Sequence, residues 1–394
     1  MIIMKVNHIK NKKYVNENIK IYYIENFSIP GNSAHSLQIE NTIKALSKIS
    51  NVTLISISFN TVKKLDFCEH IVIKSPDLFK KIIPYRVFYL LYKIKDLKFE
   101  KNAYLYTRSP IIAYYLHKKF KKVIVEIHNI PNLKDNIFEN LLFHIPLNNF
   151  FLNKLYNREN IHFVTISKSL KEDLIKLFSI PEEKITVLPD AVDLNKFNIN
   201  ISKEDAREKL NLPKEKIIIT YTGSLQEWKG YKTFLESYKY LKNRKNVIYL
   251  IVGGSEDQIK ILKKEYENEN IIFIPFVEHS KIPLFLKVSD ILVIPNSAKY
   301  EISVKYTSPL KLFEYMASRR PIIASDLPSI REIVSEEEVL FFRPDNEKDL
   351  AEKIEYLLNN KDLIEKLAKN AFEKVKNYTW EKRAKRIVEI FEVE

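Results

Sequence analysis

Thirteen short apolar runs, separated by stretches of helical spacing, punctuate this chain from Ile21 to Phe342 and point to a layered α/β architecture. The first seven are IYYIENF, VTLISISF, IVI, AYLYT, VIVEI, IHFVTIS and ITVLP, and the other six are IIITYTG, VIYLIVGG, IIFIPFV, ILVIPN, PIIAS and VLFF. Such runs suit strands covered on both faces, so each series predicts a parallel sheet between helices, a doubly wound Rossmann-like domain. Between the series, DAVDLNKFNINISKEDAREKLNLPKEK is polar and lacks a strand, and it predicts an interdomain connection carrying one short helix. Leu350, Ile354, Leu357 and Leu358, then Leu363, Leu367, Phe372 and Val375, recur at helical spacing, and TWEKRAKRIVEIFEVE predicts one more helix. The expected division is residues 1–198, 199–378 and 379–394.

Glycine is scarce: the chain has 5 where average usage would supply roughly 28. Gly31, Gly223, Gly230, Gly253 and Gly254 all fall at or near the ends of apolar runs, where a backbone without side chains lets amides approach a phosphate. Their collective placement points to a nucleotide-binding enzyme.

The formal charge of +14 favours anionic partners: nucleotide phosphates, anionic lipid or nucleic acid. No nucleic-acid motif or stacking platform is recognisable, so nucleic acid is not expected. The single cysteine, Cys68, excludes an internal disulfide and a thiolate zinc cage, in keeping with a reducing cytosol. No segment reaches the 18 or so apolar residues of a membrane span, and MIIMKVNHIKNKK has too short an apolar stretch for a signal peptide. A cytoplasmic protein, soluble or peripheral on the inner face of the membrane, is expected.

Two motifs carry chemistry. YTGSLQEWKG sets Gly223 at a strand end and Lys229 with Gly230 six residues later, where a lysine can meet a diphosphate. In YTSPLKLFEYMASRR, Ser308 is expected as N-cap and Pro309 at the first helical position. Lys311 then falls in the first turn, where the helix dipole disfavours a cation unless an anion binds there. Glu314 follows three residues later, near enough for an ordinary ion pair with Lys311 or for a binding role.

These strings, with LIVGGSED, IIFIPFVEHSKIPLFLKVSDILVIPNS, PIIASDLPSIREI and YTWEKRAKRIVEIF, resemble the C-terminal domain of glycosyltransferase family 4, the retaining, nucleotide-sugar-dependent enzymes of GT-B fold. In the first half IPGNSAHSLQIENTIKALSK, TRSP, VEIHN, TISKSLKEDL and VLPDAVDLNKF stand in family order. The resemblance implies two domains facing across a cleft, with the last helix crossing back to the first. It implies that Lys229 binds and stabilises the leaving diphosphate, that the backbone at Leu310 and Lys311 holds the same phosphates, and that Glu314 accepts from ribose hydroxyls. By the same resemblance Gly223, Ser224 and Gly253 line the nucleotide, Phe276 and Val277 flank its base, and Gly31 offers its backbone to the phosphates. His128 faces the donor sugar, as do Tyr306 and Thr307, while His35 and Arg108 lie toward the acceptor. His128, Lys229 and Glu314 form the expected catalytic set.

The chain departs from the family pattern at five places. Ser224 replaces a common arginine, and Tyr306 stands where the first acid of a Glu-x7-Glu pair is usual. Ala191, Pro275 and Arg319 or Arg320 occupy places where relatives carry glycine or small residues.

The implied reaction is transfer of a hexose-type sugar from a UDP- or GDP-linked donor to a glycan, glycolipid or lipid-linked acceptor in surface glycoconjugate synthesis. The chain has no Asp-x-Asp, so no metal and no cofactor are expected. A scaffold that binds nucleotide or a partner without turnover is the alternative, motivated by Ser224 and Tyr306; a GT-B epimerase is a lesser one. PDLFKKIIPYRVFYLLYKIKDLKF (76–99) mixes cations with aromatic residues, and with LLFHIPLNNFFLNKLY it offers a candidate surface for an anionic membrane.

Overall fold

A computed structural model describes residues 16–31, 33–59, 64–80, 83–130, 145–241 and 244–393. MIIMKVNHIKNKK and residues 141–144 of the second candidate membrane surface lie outside the described residues. The chain forms two compact units, Met1–Pro189 with Trp380–Glu394, and Asp190–Thr379.

All thirteen apolar runs form strands. In the first unit these are β1 (Asn16–Ile24), β2 (Ser50–Ser58), β3 (Glu69–Lys74), β4 (Tyr104–Thr107), β5 (Lys122–Ile127), β6 (Ile161–Thr165) and β7 (Ile185–Val187). They pair in parallel in the order β3-β2-β1-β4-β5-β6-β7. The second unit has β8 (Ile217–Thr222), β9 (Val247–Val252), β10 (Ile271–Ile274), β11 (Ile291–Ile294), β12 (Ile322–Ser325) and β13 (Leu340–Phe342), ordered β10-β9-β8-β11-β12-β13 and also parallel. In each sheet the winding reverses beside its first strand, between β1 and β4 and between β8 and β11. Loops leaving the carboxyl ends of those strands diverge, and ligands of open sheets bind there.

Helix starts follow serine chemistry. Ser33, Ser109, Ser167 and Ser255 each accept the N–H of the residue three positions on, and Ser255 completes a reciprocal cap with Gln258. The helix Trp380–Glu392 buries Trp380, Arg383, Ala384, Ile387, Ile390 and Phe391 along one stripe. It packs within the first unit on the helix Ala34–Leu46, and the Phe391 ring sits 4.7 Å from that of Tyr104. Burying one such aliphatic side chain stabilises by about 1.5–3 kcal/mol, so this stripe is a substantial tether.

Two local expectations need correction. The polar connection carries two helices, Leu194–Phe197 and Lys203–Lys209, and belongs to the second unit. There Arg207 is buried, its guanidinium donating to the Val288, Lys214 and Lys216 carbonyls and to Asp290. A polar-looking segment thus docks by satisfying buried carbonyls. Ser308 is not an N-cap: the helix runs Leu310–Ala317 with Pro309 before it and no side-chain cap. The Ser308 hydroxyl instead accepts the Asp190 N–H at 2.9 Å.

Candidate functional site

In the second unit the site grows from the end of β8. Gly223 and Gly253 close the tips of β8 and β9 so tightly that a Cβ on Gly253 would stand 2.0 Å from the Gly223 carbonyl oxygen. Gly230 ends the short turn Glu227–Lys229 with φ +67°, and a Cβ there would meet the Pro295 oxygen at 1.7 Å. Only glycine lets the turn approach the β11 loop, and the turn positions Lys229. The Lys229 ammonium donates to Ser224 Oγ at 2.8 Å, so the serine in place of an arginine serves as a perch for this cation.

The helix Leu310–Ala317 is tied to the same strand end: the Tyr315 hydroxyl accepts the Thr222 N–H at 2.8 Å. This brings Lys311 and Glu314 within electrostatic reach of Lys229. Lys311 Nζ lies 4.5 Å from the centre of the Tyr221 ring, and the Tyr221 hydroxyl donates to the Ser224 carbonyl. Lys311 Nζ is shielded from solvent and has no hydrogen-bond partner. Burial, and next the positive charge of Lys229, hold its ionisation well below the usual lysine range. Burial also pushes Lys229 down to about 8, against the pull of Glu314.

Glu314 pairs with His279 rather than with Lys311, Nε2 to Oε1 at 2.6 Å. The Lys196 ammonium donates to His279 Nδ1 at 2.8 Å, which places the ring proton on Nε2 facing the carboxylate. One Glu314 oxygen is thereby occupied by protein. Leu310 is half-buried at the first helical position, while Tyr306 and Thr307 are buried just before it. Phe276 is exposed and donates its N–H to the Gly254 carbonyl at 2.8 Å; Val277 packs beside the cluster around Ala206 and Phe285.

The first unit gathers its own set at the ends of β1, β4 and β5. The buried Glu126 carboxylate accepts on Oε1 from Arg108 at 3.1 Å, Arg383 at 3.0 Å and His128 at 2.5 Å, and on Oε2 from the Tyr106 hydroxyl. Burial opposes its ionisation, but the two guanidiniums and His128 prevail and keep it well below the usual carboxylate range. Burial, then Arg108, lowers His128 to about 4, so it is neutral at pH 7. Because Nε2 donates to Glu126, Nδ1 is its acceptor face. Arg108 also donates to His35 Nδ1 at 3.3 Å and to Gln38, and its N–H goes to Glu25 Oε1 at 2.6 Å. His35 Nε2, buried, has no partner. His35, Arg108 and His128 thus form one network. Gly31 lies before the helix Ala34–Leu46, where a Cβ would meet Ser36 Oγ at 2.6 Å.

Sequence reasoning missed Glu25, Glu126, Tyr221, His279, Lys196 and Arg383. Signals for two were present. Glu126 near the end of β5 and His128 just past it stand two apart, the spacing of one strand face. Arg383 interrupts the apolar stripe of the last helix, where a charge must be paired.

Residues 202–374 match the family described as glycosyl transferases group 1. The chain is 28% identical over 252 residues to an N,N'-diacetylbacillosaminyl-diphospho-undecaprenol alpha-1,3-N-acetylgalactosaminyltransferase of Campylobacter jejuni, covering 62% of this chain and 64% of that one. Another curated relative is likewise covered over 60% of its length. Sucrose-phosphate synthase of Thermosynechococcus elongatus superposes with a TM-score of 0.76 at 18% identity, covering 95% and 98% of the two chains. HepE of Anabaena, solved in complex with UDP, gives 0.72 at 16%, covering 94% and 99%. The fold is GT-B, two parallel-sheet α/β domains.

Proposed function

We propose that this protein is a retaining family 4 glycosyltransferase that moves a hexose-type sugar from a nucleotide-sugar donor to a glycan or lipid-linked acceptor in surface glycoconjugate synthesis. The observation that carries the reading is the shielded Lys311 amino group, without a hydrogen-bond partner and within electrostatic reach of Lys229. A buried cation is costly unless an anion meets it, and a diphosphate supplies that charge. The UDP bound to HepE and the diphospho-undecaprenol in the name of the Campylobacter relative favour a UDP-linked donor and a lipid-linked acceptor. Among the described residues no helix is long and apolar enough to cross a membrane, and we place the enzyme in the cytoplasm, where nucleotide sugars are made available.

In the proposed reaction the bond between the anomeric carbon and the diphosphate breaks as the acceptor hydroxyl oxygen bonds that carbon, and the hydroxyl proton passes to the departing phosphate oxygen. Charge grows on the departing phosphate, where Lys229, Lys311 and the amides at Leu310 and Lys311 stabilise it. Removing one such preorganised group costs about 2.7–4 kcal/mol in comparable sites. The open oxygen of Glu314 receives ribose hydroxyls, Gly223, Ser224 and Gly253 border the nucleotide, and Phe276 with Val277 flanks its base. Neutral His128 accepts a donor-sugar hydroxyl at Nδ1, Tyr306 and Thr307 serve the same sugar from the second unit, and His35 Nε2 donates to the acceptor. The cations replace a metal, so turnover survives chelator.

A thermal-shift panel of UDP and GDP, followed by donor hydrolysis with and without EDTA, tests this. Lys229→Ala and Glu314→Ala should each lose the shift or most turnover. Wild-type behaviour in both overturns the site, and activity abolished by EDTA and restored by Mg2+ overturns metal independence.

A further inference from the structure

Half of the strongly exposed large apolar side chains of the described residues fall between Leu78 and Phe150, although that stretch is a small part of the chain. The helix Ile83–Ile94 buries Val87, Leu90 and Ile94 against its own unit, so its opposite face should be polar. Instead it carries Tyr85, Phe88 and Tyr92, spaced as one stripe, with Tyr92 60% exposed. The fold extends the stripe. Phe79 stacks on Tyr85 at 6.0 Å, and Phe88 meets Tyr115 edge-on at 6.0 Å across to the helix Pro110–Leu116. Tyr115 in turn lies 5.8 Å from Phe151, which adjoins the exposed Phe150 on the helix Ile145–Leu155. Segments distant in sequence thereby form one aromatic face.

The charge around this face has one sign. Residues 83–99, 110–122 and 145–158 hold ten Lys and Arg against the single acid Asp96. Lys95 sits 4.8 Å over the Tyr92 ring and Lys154 5.5 Å over Phe150, so cations rim the rings themselves. A second copy of the chain would bring like charges together on this face. Aromatic rings with a polar edge, flanked by snorkelling lysines, suit the boundary between anionic headgroups and acyl chains.

We infer that this three-helix face docks the protein on an anionic phospholipid bilayer, with Tyr85, Phe88, Tyr92, Tyr115 and Phe150 entering the headgroup boundary and the lysines meeting lipid phosphates. The inference stands apart from the nucleotide site, since vesicle binding needs no nucleotide. The test is cosedimentation of the full chain with vesicles of pure phosphatidylcholine or of equimolar phosphatidylcholine and phosphatidylglycerol, at low and high salt. Binding should require phosphatidylglycerol, weaken with salt, and fall about tenfold in Tyr92→Ser/Tyr115→Ser, whose side chains are exposed and leave the core intact. Ile261→Ser/Tyr356→Ser, exposed apolar positions of the second unit, should bind like the wild type. Absence of binding to phosphatidylglycerol vesicles at low salt overturns the inference, as does equal binding to pure phosphatidylcholine or wild-type binding by the aromatic variant. Sedimentation velocity without lipid adds one more outcome: a dimer abolished by the aromatic variant would assign the face to a second copy. Circular dichroism and the UDP thermal shift of each variant separate this result from the fate of the nucleotide reading, because a wild type that binds vesicles without answering to UDP would sink only the latter.

Discussion

His279 holds Glu314 by a 2.6 Å contact that leaves one oxygen of the carboxylate for a ligand. With Lys196 donating to the far side of the ring, the imidazole cannot offer Glu314 the wrong nitrogen without losing that bond. His279 is therefore a positioning residue, and it acts on binding rather than on the reacting bond. His279→Ala should weaken UDP binding about tenfold, in line with about 1.5–3 kcal/mol for a charge-assisted hydrogen bond, and should raise KM far more than it lowers kcat. His279→Gln should recover part of the loss. Calorimetry on the three proteins checks this, and unchanged affinity in the alanine variant would remove His279 from the site.

The depressed Lys229 gives binding a pH signature. Free Lys229 loses its proton as pH rises through about 8, while a bound diphosphate stabilises the charged form. UDP affinity should fall steadily above that pH, with proton uptake on binding, measurable by calorimetry in buffers of different ionisation enthalpy. Stability of the unliganded protein runs the other way. With a folded value below that of the unfolded chain, the unfolded state binds more protons between about 8 and 10.5, so this lysine makes stability rise with pH across that window. Lys229→Met should flatten both trends while raising the unliganded melting temperature at neutral pH.

Glu126 makes the last helix part of the first unit's polar core, because Arg383 reaches its carboxylate from Trp380–Glu392. Arg383→Ala leaves a buried anion with one cation fewer, a change that costs about 3–5 kcal/mol. Its melting temperature should drop by several degrees. The depressed folded value of Glu126 contributes stability above the ordinary carboxylate range, lost as pH falls toward the folded value. Glu126→Gln should therefore show a weaker acid dependence than the wild type between about pH 5 and 3, as melting curves across that range would reveal.

The strands were legible because burial on both sheet faces demands uninterrupted apolar runs, and Gly223 and Gly253 marked two tight strand ends. Lys229, Lys311 and Glu314 could be picked out from their places in two motifs. Their partners could not. His279 meets Glu314 from 35 positions away and Arg383 meets Glu126 from 257, and pairing at such separations is set by sheet order rather than by local spacing. Ser308 misled for the opposite reason: its type suits a helix cap, but the backbone N–H of Asp190, 118 positions away, claims the hydroxyl.

Two glycines separate backbone need from mere proximity. At Gly230 an alanine Cβ would press on the Pro295 carbonyl, which is backbone, and φ of +67° is itself unfavourable for a side chain by about 1–2 kcal/mol. At Gly31 the obstacle is chiefly the Ser36 hydroxyl, a side-chain tip that can turn away. Gly230→Ala should displace the turn carrying Lys229, so that UDP binding fails while most of the unit stays folded. Gly31→Ala should keep UDP binding within about threefold, a difference of under 1 kcal/mol. Calorimetry with melting curves on both variants decides the matter: equal affinities would mean that the approach of the Lys229 turn to the β11 loop has no part in holding the diphosphate.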